Sequence, residues 1–436
     1  MSFYTYSFGC RVNQAEKEVI DREMQNQGYV LKAKSPDVNI INTCAVTQKA
    51  EREAKNLIYR LKRANPEGKI VITGCSATYW QKHKSLEKLP IDLLIDNVNK
   101  DFLVKILEKQ LSGHSTDNRH GYESNGKNSV INDKYLNSGR ALIKIQDGCQ
   151  RFCSFCIVPY LRGQPKSEKV KSLEARLKDF EGKISEVIFT AINTEAFGTD
   201  TGEKLITLID ETIKKTRIPR ISFGSIHPWS IDDEFLKYYK KILPLKKVVN
   251  FFHIPIQSGS NKILNLMKRG YGSEEMLIKL NKLQKINPLA LIATDMIVGF
   301  LDETDKDFQE TVDFLKKAPI SKFHIFRFSN RKNTAAYYMA KNLKEPPHDK
   351  KMKRAKILAD LGKKKYQEFL KKNIGRTSKV LFLNTKYKNY HEALLDNQIP
   401  VYIKASKTIQ PKGISEAVIL DYKNGKLFGR IIQSGA

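Results

Sequence analysis

The sequence predicts an α/β protein with three folded parts. These are a parallel, doubly wound α/β domain, a partial (β/α)6 barrel and a small antiparallel β-barrel. Short apolar runs alternate with helical patterns up to residue 111 and again after Arg140, which is typical of parallel sheets. After Gly375 only short β-rich runs and turns remain, with predicted strands at 378–384, 400–403, 417–421 and 426–432 and a predicted hairpin turn at Asn424-Gly425. The predicted parts are 1–111, a linker at 112–138, 139–372 and 373–436.

Three strands of the first domain each run into a cysteine. The β-rich runs are 3–8, 38–42 and 69–73. The cysteines that follow them are Cys10, Cys44 and Cys75. The carboxyl ends of parallel strands form the edge where ligands collect, so we expect these thiols to converge. Cysteines are also common buried residues, so chance placement remains an alternative.

Helical patterns separate these strands. The first is predicted from Asn13 to Gln27, with Asn13 as its N-cap and Gly28 as its stop. Thr47 is the predicted N-cap of a charged helix that ends before Pro66. The polar stretch that follows the domain, 112–138, reads as a linker. Its histidines, His114 and His120, are expected to be solvated rather than metal ligands.

The second domain shows six further strand–helix repeats. The predicted strands are 141–146, 185–190, 220–224, 248–254, 291–298 and 322–328. The predicted helices are 172–182, 203–216, 231–242, 260–268, 273–287 and 305–317. Six repeats indicate an open parallel barrel, whose site is built from the loops at the carboxyl ends of the strands.

The loop after the first barrel strand carries the pattern C-x3-C-x2-C at Cys149, Cys153 and Cys156. A closed zinc site or a ferredoxin-type cluster needs four protein ligands, and no fourth cysteine follows here. Three thiolates can hold three irons of a four-iron cube and leave the fourth iron open to a small molecule. Another kind of metal or redox loop remains the alternative.

This cysteine loop resembles that of the radical S-adenosylmethionine (SAM) enzymes, and nearly the whole chain resembles the methylthiotransferases among them. The matching N-terminal stretches are F-G-C-R-V-N-Q-A-E (8–16), I-N-T-C-A-V-T-Q-K-A-E (41–51) and I-T-G-C-S-A (72–77). The resemblance implies two 4Fe–4S clusters, one at each cysteine triad. It also implies cleavage of SAM to a 5′-deoxyadenosyl radical, which is chemistry of the cofactor.

Later motifs extend the resemblance. They are S-F-G-S-I-H-P-W (222–229), F-H-I-P-I-Q-S-G-S-N (252–261), T-D-M-I-V-G-F (294–300) and F-R-F-S-N-R-K-N-T-A-A (326–336). By analogy, SAM contacts would include Phe155, Ser225, Gln257 and Gly299. The chain departs from the family pattern near Lys166, at Ala191-Ile192 and at Leu301-Asp302, which bears on SAM and substrate contacts. Four histidines of the later part of the chain, His227, His253, His324 and His348, are expected in core or surface roles.

The chain is strongly basic, with 76 Lys and Arg against 47 Asp and Glu and a formal charge of +29. This excess favours nucleic acid as a partner, although a proteome with generally lysine-rich surfaces is an alternative. Residues 341–376 alone hold 13 Lys and Arg and 4 Asp and Glu. That segment is either a solvated helix face or a track for RNA phosphates. The C-terminal β-rich part resembles the TRAM domain, which binds tRNA in related enzymes; a generic β appendage is the alternative.

The resemblance implies an enzyme that converts a tRNA adenosine to its 2-methylthio form. The residues Arg11, Val12 and Asn13 resemble most the branch that acts on N6-threonylcarbamoyladenosine (t6A) at position 37, next to the anticodon. The alternatives are the isopentenyladenosine branch, the branch that modifies a ribosomal-protein aspartate, and a non-catalytic RNA-binding iron–sulfur protein. The expected partners are tRNA, SAM, an electron donor and a sulfur donor. No signal peptide or membrane segment is expected, and six cysteines suit the reducing cytoplasm.

Overall fold

The computed structural model describes residues 1–83, 89–111, 136–404 and 410–432. Nearly all of the predicted linker, with His114 and His120, lies outside the described residues. The chain divides into two compact units. The first comprises Met1–Asp133 and Ile157–Gln164, and the second comprises Lys134–Cys156 and Pro165–Ala436.

The first unit is built on a parallel sheet. Its strands are β1 (Ser2–Ser7), β2 (Val30–Leu31), β3 (Val38–Thr43), β4 (Lys69–Thr73) and β5 (Leu93–Ile95). Its helices are α1 (Arg11–Asn26), α2 (Gln48–Ala64), α3 (Gly74–Lys82), α4 (Leu103–Leu111) and α5 (Val158–Arg162). The strand order is β2-β1-β3-β4-β5, and every pairing is parallel.

Helices cover both faces of this sheet. On one face, Ile20 and Met24 of α1 and Leu107 of α4 belong to the same apolar cluster as the β1 and β3 side chains Phe3 and Val38. On the other face, a second cluster joins α2 and α3 to the sheet through Ile41, Ile58, Ile72 and Trp80. The predicted doubly wound α/β fold is therefore confirmed.

The two predicted helix caps of this unit differ in outcome. Thr47 is the N-cap of α2, and its Oγ1 accepts a hydrogen bond from the Ala50 N–H at 3.2 Å. The prediction for Asn13 is wrong, because α1 begins at Arg11 with Cys10 in the N-cap position. Asn13 lies buried inside the first turn, and its Nδ2 donates to the carbonyl oxygens of Phe8 and Thr43 at 2.9 and 2.8 Å. Its amide serves to hold the ends of two strands.

The second unit contains the partial barrel. The strands are β6 (Arg140–Asp147), β7 (Lys166–Ser167), β8 (Glu186–Ala191), β9 (Arg220–Phe223), β10 (Phe251–His253), β11 (Leu291–Val298) and β12 (Lys322–Arg327). The helices are α6 (Val170–Lys178), α7 (Leu205–Lys215), α8 (Asp233–Ile242), α9 (Asn261–Leu266), α10 (Ser273–Ile286), α11 (Asp305–Lys317), α12 (Ala335–Met339) and α13 (His348–Lys371).

All six predicted barrel strands are present and parallel to their neighbours. β6, β8 and β9 pair in that order, and β10, β11 and β12 pair in a second set. A single parallel bridge between Ile221 and Val248 links the two sets. The short β7 pairs antiparallel with the end of β6. Apolar side chains of the barrel strands and of the helices around them form one large core. The predicted partial (β/α)6 barrel is therefore confirmed.

The C-terminal part is a closed five-stranded barrel. Its strands are β13 (Thr377–Tyr387), β14 (Tyr390–Leu394), β15 (Pro400–Lys404), β16 (Ile414–Lys423) and β17 (Lys426–Ile431), in the order β13-β14-β15-β17-β16. Four of its pairings are antiparallel as predicted, but β15 and β17 pair in parallel. Asn424 and Gly425 form the predicted hairpin turn, both with positive φ (50° and 78°).

The small barrel is attached to the amino ends of the sheet strands. Arg220, the first residue of β9, forms an ion pair with Glu186, the first residue of β8, with 2.9 Å between Nε and Oε2. The same guanidinium donates to the carbonyl oxygens of Leu394 and Leu395 in the small barrel at 3.1 and 2.9 Å. The carboxyl ends of the sheet strands therefore stay clear of this attachment.

Within the described residues, no helix combines the length and the apolar character that crossing a membrane requires.

Candidate functional site

The first cysteine triad lies at one edge of the first unit's sheet. The strands β1, β3 and β4 are neighbours in the sheet, and each is followed within three residues by one cysteine of the triad: Cys10, Cys44 and Cys75. Gly9, with φ +86°, turns the chain against Cys44, because a Cβ placed on Gly9 would lie 2.3 Å from Cys44 Sγ. Burial raises the pKa of the Cys44 thiol to about 12, and the neighbouring Cys10 and Cys75 add to the effect. Metal binding at this triad must therefore displace protons.

A buried polar network surrounds this triad. Arg162 of α5 donates from Nε to Cys75 Sγ at 3.3 Å, from Nη1 to Glu16 Oε1 at 2.8 Å and from Nη2 to Asn13 Oδ1 at 2.6 Å. Lys100 Nζ lies 2.7 Å from the other carboxylate oxygen of Glu16. The side chains of Arg162, Glu16 and Lys100 are 1%, 4% and 5% exposed. Of these N–H groups, the Arg162 Nε–H is the one that donates to a thiol, and it would stabilise negative charge on Cys75.

The second cysteine triad lies in the second unit, in the loop after β6. The N–H of Cys156 donates to the carbonyl oxygen of Cys153 at 2.9 Å, which folds the C-x2-C half of the motif into a turn. Cys153 Sγ accepts from Arg269 Nη1 at 3.1 Å. Arg269 is buried, and it also donates to the carbonyl oxygen of Pro255 and to the Tyr271 hydroxyl. A thiolate or another anion at this loop would match the buried guanidinium charge.

Cationic and aromatic side chains continue from this loop. The guanidinium carbons of Arg151 and Arg269 lie 4.2 and 4.6 Å from the centre of the Trp229 ring. Arg151 is also paired with Glu195 through two hydrogen bonds. Beside Trp229, burial lowers the pKa of His227 to about 3, and the charge of Arg269 acts in the same direction. His227 is therefore neutral at physiological pH, and it accepts at Nδ1 from the Thr194 N–H.

The structure places the four expected SAM contacts along the carboxyl ends of the strands, in differing surroundings. Ser225 Oγ lies 2.7 Å from His253 Nδ1. Gln257 has a positive φ of 82°, and its N–H donates to the Asp295 carbonyl oxygen at 2.9 Å. Phe155 packs against an apolar cluster that includes Phe300. At Gly299, a Cβ would meet the side chain of Lys351 at 2.3 Å, so the space beside its Cα is taken by α13.

One departure from the family pattern has a conformational explanation. Asp302 stands where the resemblance implies a glycine, and its φ is +53°. Aspartate tolerates the left-handed region better than most residues. Its side chain accepts from the Lys344 N–H at 2.9 Å, and its own N–H donates to the Lys344 carbonyl oxygen. The turn is therefore kept without the glycine.

A polar group on the last three barrel strands was not predicted from the sequence. His253 Nε2 and His324 Nδ1 lie 2.9 and 3.2 Å from Asp295 Oδ1, and Asp295 pairs in register with His324. Burial alone would raise the pKa of Asp295, but the hydrogen bonds from the two histidines hold it well below its usual range. Ser225, His253 and Asp295 thus form one hydrogen-bonded chain. The sequence signal was the polar alternation within these strands.

The spacing of the thiols argues against a single zinc ion at either triad. Within the described parts of the chain, three metal-binding atoms lie within 4.8 Å of one another only at His253, Asp295 and His324. Tetrahedral Zn–S bonds of about 2.3 Å would place thiolates about 3.8 Å apart. Neither cysteine triad is that tight, whereas a cube of four irons holds its ligands farther apart. The spacing of neither triad therefore matches the ligands of one zinc ion, whereas three thiols without a fourth are a donor set that suits an open iron–sulfur cube.

Helix α13 presents a row of lysines to solvent. The exposed members are Lys353, Lys356, Lys363, Lys364 and Lys371. At 100° per residue they fall within about 100° of the helix circumference, with Asp360 among them. None of the five forms an ion pair within the described residues, in contrast to Lys350, Lys351 and Arg354 of the same helix. This row is available to bind phosphate groups.

The small barrel carries an aromatic and cationic cluster. Tyr387, Tyr402 and Phe428 are ring neighbours, with centroids 5.2 and 5.7 Å from Tyr402. Lys426 Nζ lies 3.3 Å from the Tyr387 ring centre and 5.0 Å from the Tyr402 ring centre. Aromatic faces beside cations are the elements of sites that stack bases of single-stranded RNA.

Comparisons with known proteins agree with this geometry. The model of the Radical SAM superfamily matches residues 143–315, and that of the uncharacterized protein family UPF0004 matches residues 2–96. A solved structure of the cobalamin-dependent S-adenosylmethionine radical enzyme OxsB with aqua-cobalamin bound is similar in fold, with a TM-score of 0.50 and 14% identity. The match covers 78% of this chain and 55% of that one. The fold and the cysteine loop after β6 define a radical SAM protein, a class that uses SAM and an iron–sulfur cluster.

Curated relatives narrow the class. The threonylcarbamoyladenosine tRNA methylthiotransferase MtaB of Aquifex aeolicus is 37% identical over 383 residues, which cover 86% of this chain and 92% of the relative. The protein of the same name from Bacillus subtilis is 30% identical, with coverage of 98% and 96%. The tRNA-2-methylthio-N(6)-dimethylallyladenosine synthase of Thermotoga petrophila is 32% identical, with coverage of 87% and 86%. The chain belongs to the radical SAM methylthiotransferase family, as a member similar to MtaB, and is an enzyme of that kind.

Proposed function

We propose that this enzyme converts N6-threonylcarbamoyladenosine in tRNA, at the position next to the anticodon, to its 2-methylthio derivative. The observation that carries the proposal is the pair of cysteine triads. The first triad lies at the ends of three neighbouring strands and the second in one loop after a strand, and each has a buried arginine bonded to one thiol, at 3.3 Å for Cys75 and 3.1 Å for Cys153. The names of the MtaB relatives supply the substrate.

The two triads would hold separate four-iron clusters. Cys149, Cys153 and Cys156 would hold the cluster that supplies the electron for SAM cleavage, and Cys10, Cys44 and Cys75 the one that carries the sulfur, which comes from a separate donor. Arg269 donates to Cys153 Sγ and so keeps a positive charge beside this triad, which suits an anionic cluster. Ser225 and Gln257 offer a hydroxyl and a side-chain amide at the strand ends, which suit the ribose and amino-acid parts of SAM.

Two surfaces of the second unit support RNA as the substrate. The lysine row of α13 provides phosphate contacts, and the cluster at Tyr387, Tyr402 and Phe428 provides stacking faces. Single-stranded loop bases are the parts of an RNA that can be splayed into a protein pocket. A cytoplasmic tRNA anticodon loop has this chemistry, and the cytoplasm also keeps cluster thiols reduced.

An isopentenyladenosine substrate is the second candidate, since relatives named as dimethylallyladenosine synthases are 32–33% identical to this chain. The deciding experiment is mass spectrometry of tRNA nucleosides from a strain that lacks this enzyme, before and after complementation. Loss and return of 2-methylthio-t6A is expected. Loss of the 2-methylthio-isopentenyladenosine signal instead would transfer the assignment to the second candidate. Unchanged nucleosides, in the absence of a redundant enzyme, would refute both and direct the search to ribosomal proteins.

The roles of the triads are separable in vitro. The Cys149→Ala variant is expected to lose SAM cleavage to 5′-deoxyadenosine. The Cys44→Ala variant is expected to keep SAM cleavage and to lose methylthio transfer. Both variants are compared at equal iron loading of the remaining triad. An equal loss of 5′-deoxyadenosine formation in the two variants would contradict separate roles for the triads. If the unaltered protein binds RNA but does not cleave SAM, it is a non-catalytic RNA-binding protein.

A further inference from the structure

Arg162 connects the first cysteine triad to a distant part of the chain. It is the last residue of α5 and follows Cys156 of the second triad by six positions. The segment that contains it, Ile157–Gln164, belongs to the first unit, although the loop before it belongs to the second. Within the first unit, Ile157 and Leu161 pack with Ala45 and Cys75 in one buried cluster. The segment is therefore built into the surroundings of the first triad.

The guanidinium of Arg162 is fixed by bonds in three directions. Its Nε donates to Cys75, its Nη1 to Glu16 and its Nη2 to Asn13. Asn13 Oδ1 also lies 3.8 Å from Cys10 Sγ. Asn97, which donates to Cys75 Sγ at 3.6 Å, also donates to the carbonyl oxygen of Leu161 beside Arg162. The position of Arg162 is thus coupled to two of the three thiols.

The charges of this network suit an anionic cluster. Glu16 lies between two cations, Arg162 and Lys100, so the three buried side chains carry one net positive charge. Buried charge is costly unless it is paired, and three thiolates beside Arg162 would provide the counter-charge. Donation of N–H groups to a cluster ligand and positive charge near it both stabilise the more reduced, more negative state.

We infer that Arg162 is a positioning residue for the first cysteine triad, which orients Cys75 and raises the reduction potential of the cluster that this triad holds. The inference rests on the proposed function, because it requires a cluster at Cys10, Cys44 and Cys75. Glu16 has the opposite effect, since its carboxylate offsets part of the guanidinium charge. The reduction considered is a one-electron step with an external reductant, and no proton or group is transferred.

The test uses the full chain with Cys149, Cys153 and Cys156 replaced by alanine, so that only the first triad can bind iron. Iron per chain is measured after anaerobic reconstitution, and the reduced cluster is followed by electron paramagnetic resonance at poised potentials. At the potential where the Arg162 protein is half reduced, Arg162→Met is expected to lower the ratio of reduced to oxidised cluster by about tenfold, the scale of one hydrogen bond to a charged group. Arg162→Lys keeps the charge but not the planar fork of the guanidinium. Its ratio of reduced to oxidised cluster is expected to lie between those of the Arg162 protein and Arg162→Met.

The Glu16→Gln variant gives the sharpest control. It keeps the shape of the side chain and removes the carboxylate charge, so the ratio of reduced to oxidised cluster is expected to rise. A merely structural role for the network would not move the two variants in opposite directions. If Arg162→Met fails to fold by circular dichroism, Arg162→Lys and Glu16→Gln decide the question.

If the ratio of reduced to oxidised cluster is unchanged in the variants, or shifts in the same direction in the Arg162 and Glu16 variants, the inference is overturned. Either result would leave the proposal of a cluster at the first triad intact. Absence of iron from the parent protein with only the first triad would instead refute the two-cluster proposal, and the inference with it. The iron measurement on the parent protein thus separates the two failures.

Discussion

Substituting Gly9 by alanine tests whether Cys44 is a cluster ligand. With φ at +86°, an alanine at this position is strained by about 1–2 kcal/mol, and its Cβ would lie 2.3 Å from Cys44 Sγ and 2.4 Å from Cys44 Cβ. Non-bonded carbon atoms prefer about 3.5–4.0 Å, so the Cys44 side chain must move by more than about 1 Å. Metal–ligand distances tolerate about 0.2 Å, so Cys44 is expected to leave the cluster. Gly9→Ala should therefore bind about four irons per chain, compared with about eight in the unaltered enzyme.

Gly28 provides a matched control for this substitution. Its φ is +83°, and nothing lies within 4 Å of a Cβ placed there. Gly28→Ala thus carries the same backbone strain without the contact to a thiol, and it should keep about eight irons. The assay is iron and sulfide content after anaerobic reconstitution, with 5′-deoxyadenosine formation as the check on the second triad. Equal iron content in the two variants would refute the reasoning.

Three further predictions concern other parts of the chain. Arg220→Met leaves the buried carboxylate of Glu186 unpaired, so the free energy of unfolding measured in urea is expected to fall by about 3–5 kcal/mol. The pKa of His227 is lowered to about 3 from an unfolded value near 6.5, so its stabilising effect is complete above pH 6.5 and is lost as the pH falls towards 3. The free energy of unfolding of the cluster-free protein, measured in urea, should therefore fall between pH 7.5 and pH 5.5. This fall should be about 1 kcal/mol larger than in the His227→Gln variant. Replacing Lys356 and Lys363 together by alanine should weaken tRNA binding and lower the salt dependence of binding by about two phosphate contacts.

Each of these predictions has a control and a contradicting result. For Arg220, the control is Lys204→Met, whose pair with Glu234 is exposed and should contribute less than about 1 kcal/mol. A similar small loss in Arg220→Met would contradict the buried pair. An equal pH effect in His227→Gln and the unaltered protein would contradict the assignment to His227. For tRNA binding, the control replaces Lys240 and Lys241 on α8 by alanine, which removes the same number of charges. An equal loss of affinity in this control would mean that the α13 lysines act only through the net charge of the protein.

Local periodicity made most of the second unit predictable. The bounds of β11 and α11 agree with the prediction at both ends, and the other barrel helices agree within four residues. Strand and helix periods of 2 and 3.6 residues are local signals, and caps such as Thr47 are local as well. Strand β14 was missed because Tyr390–Leu394 contains a histidine and a glutamate, and its identity comes from pairing with β13 and β15.

The cysteines were predictable as a set, whereas the side chains that support them were not. Arg162 and Cys75 are 87 positions apart in the sequence, and Arg269 and Cys153 are 116 apart. No periodicity or motif joins such pairs, because their contact depends on the packing of whole elements. Asn13 was misread as a cap for the same reason, since its partners, Phe8 and Thr43, belong to two different strand ends.

The discontinuity of the first unit has a consequence for how the chain is made. Its sheet is encoded by the first hundred residues, but Arg162 and the rest of Ile157–Gln164 are synthesised only after the cysteine loop of the second unit. During translation the nascent first unit therefore contains Cys75 and Glu16 before their guanidinium partner has left the ribosome. A gene fragment ending at residue 138 would encode all three N-terminal cysteines and still lack this partner. Cluster insertion into the first triad is expected to follow, rather than precede, emergence of residue 164.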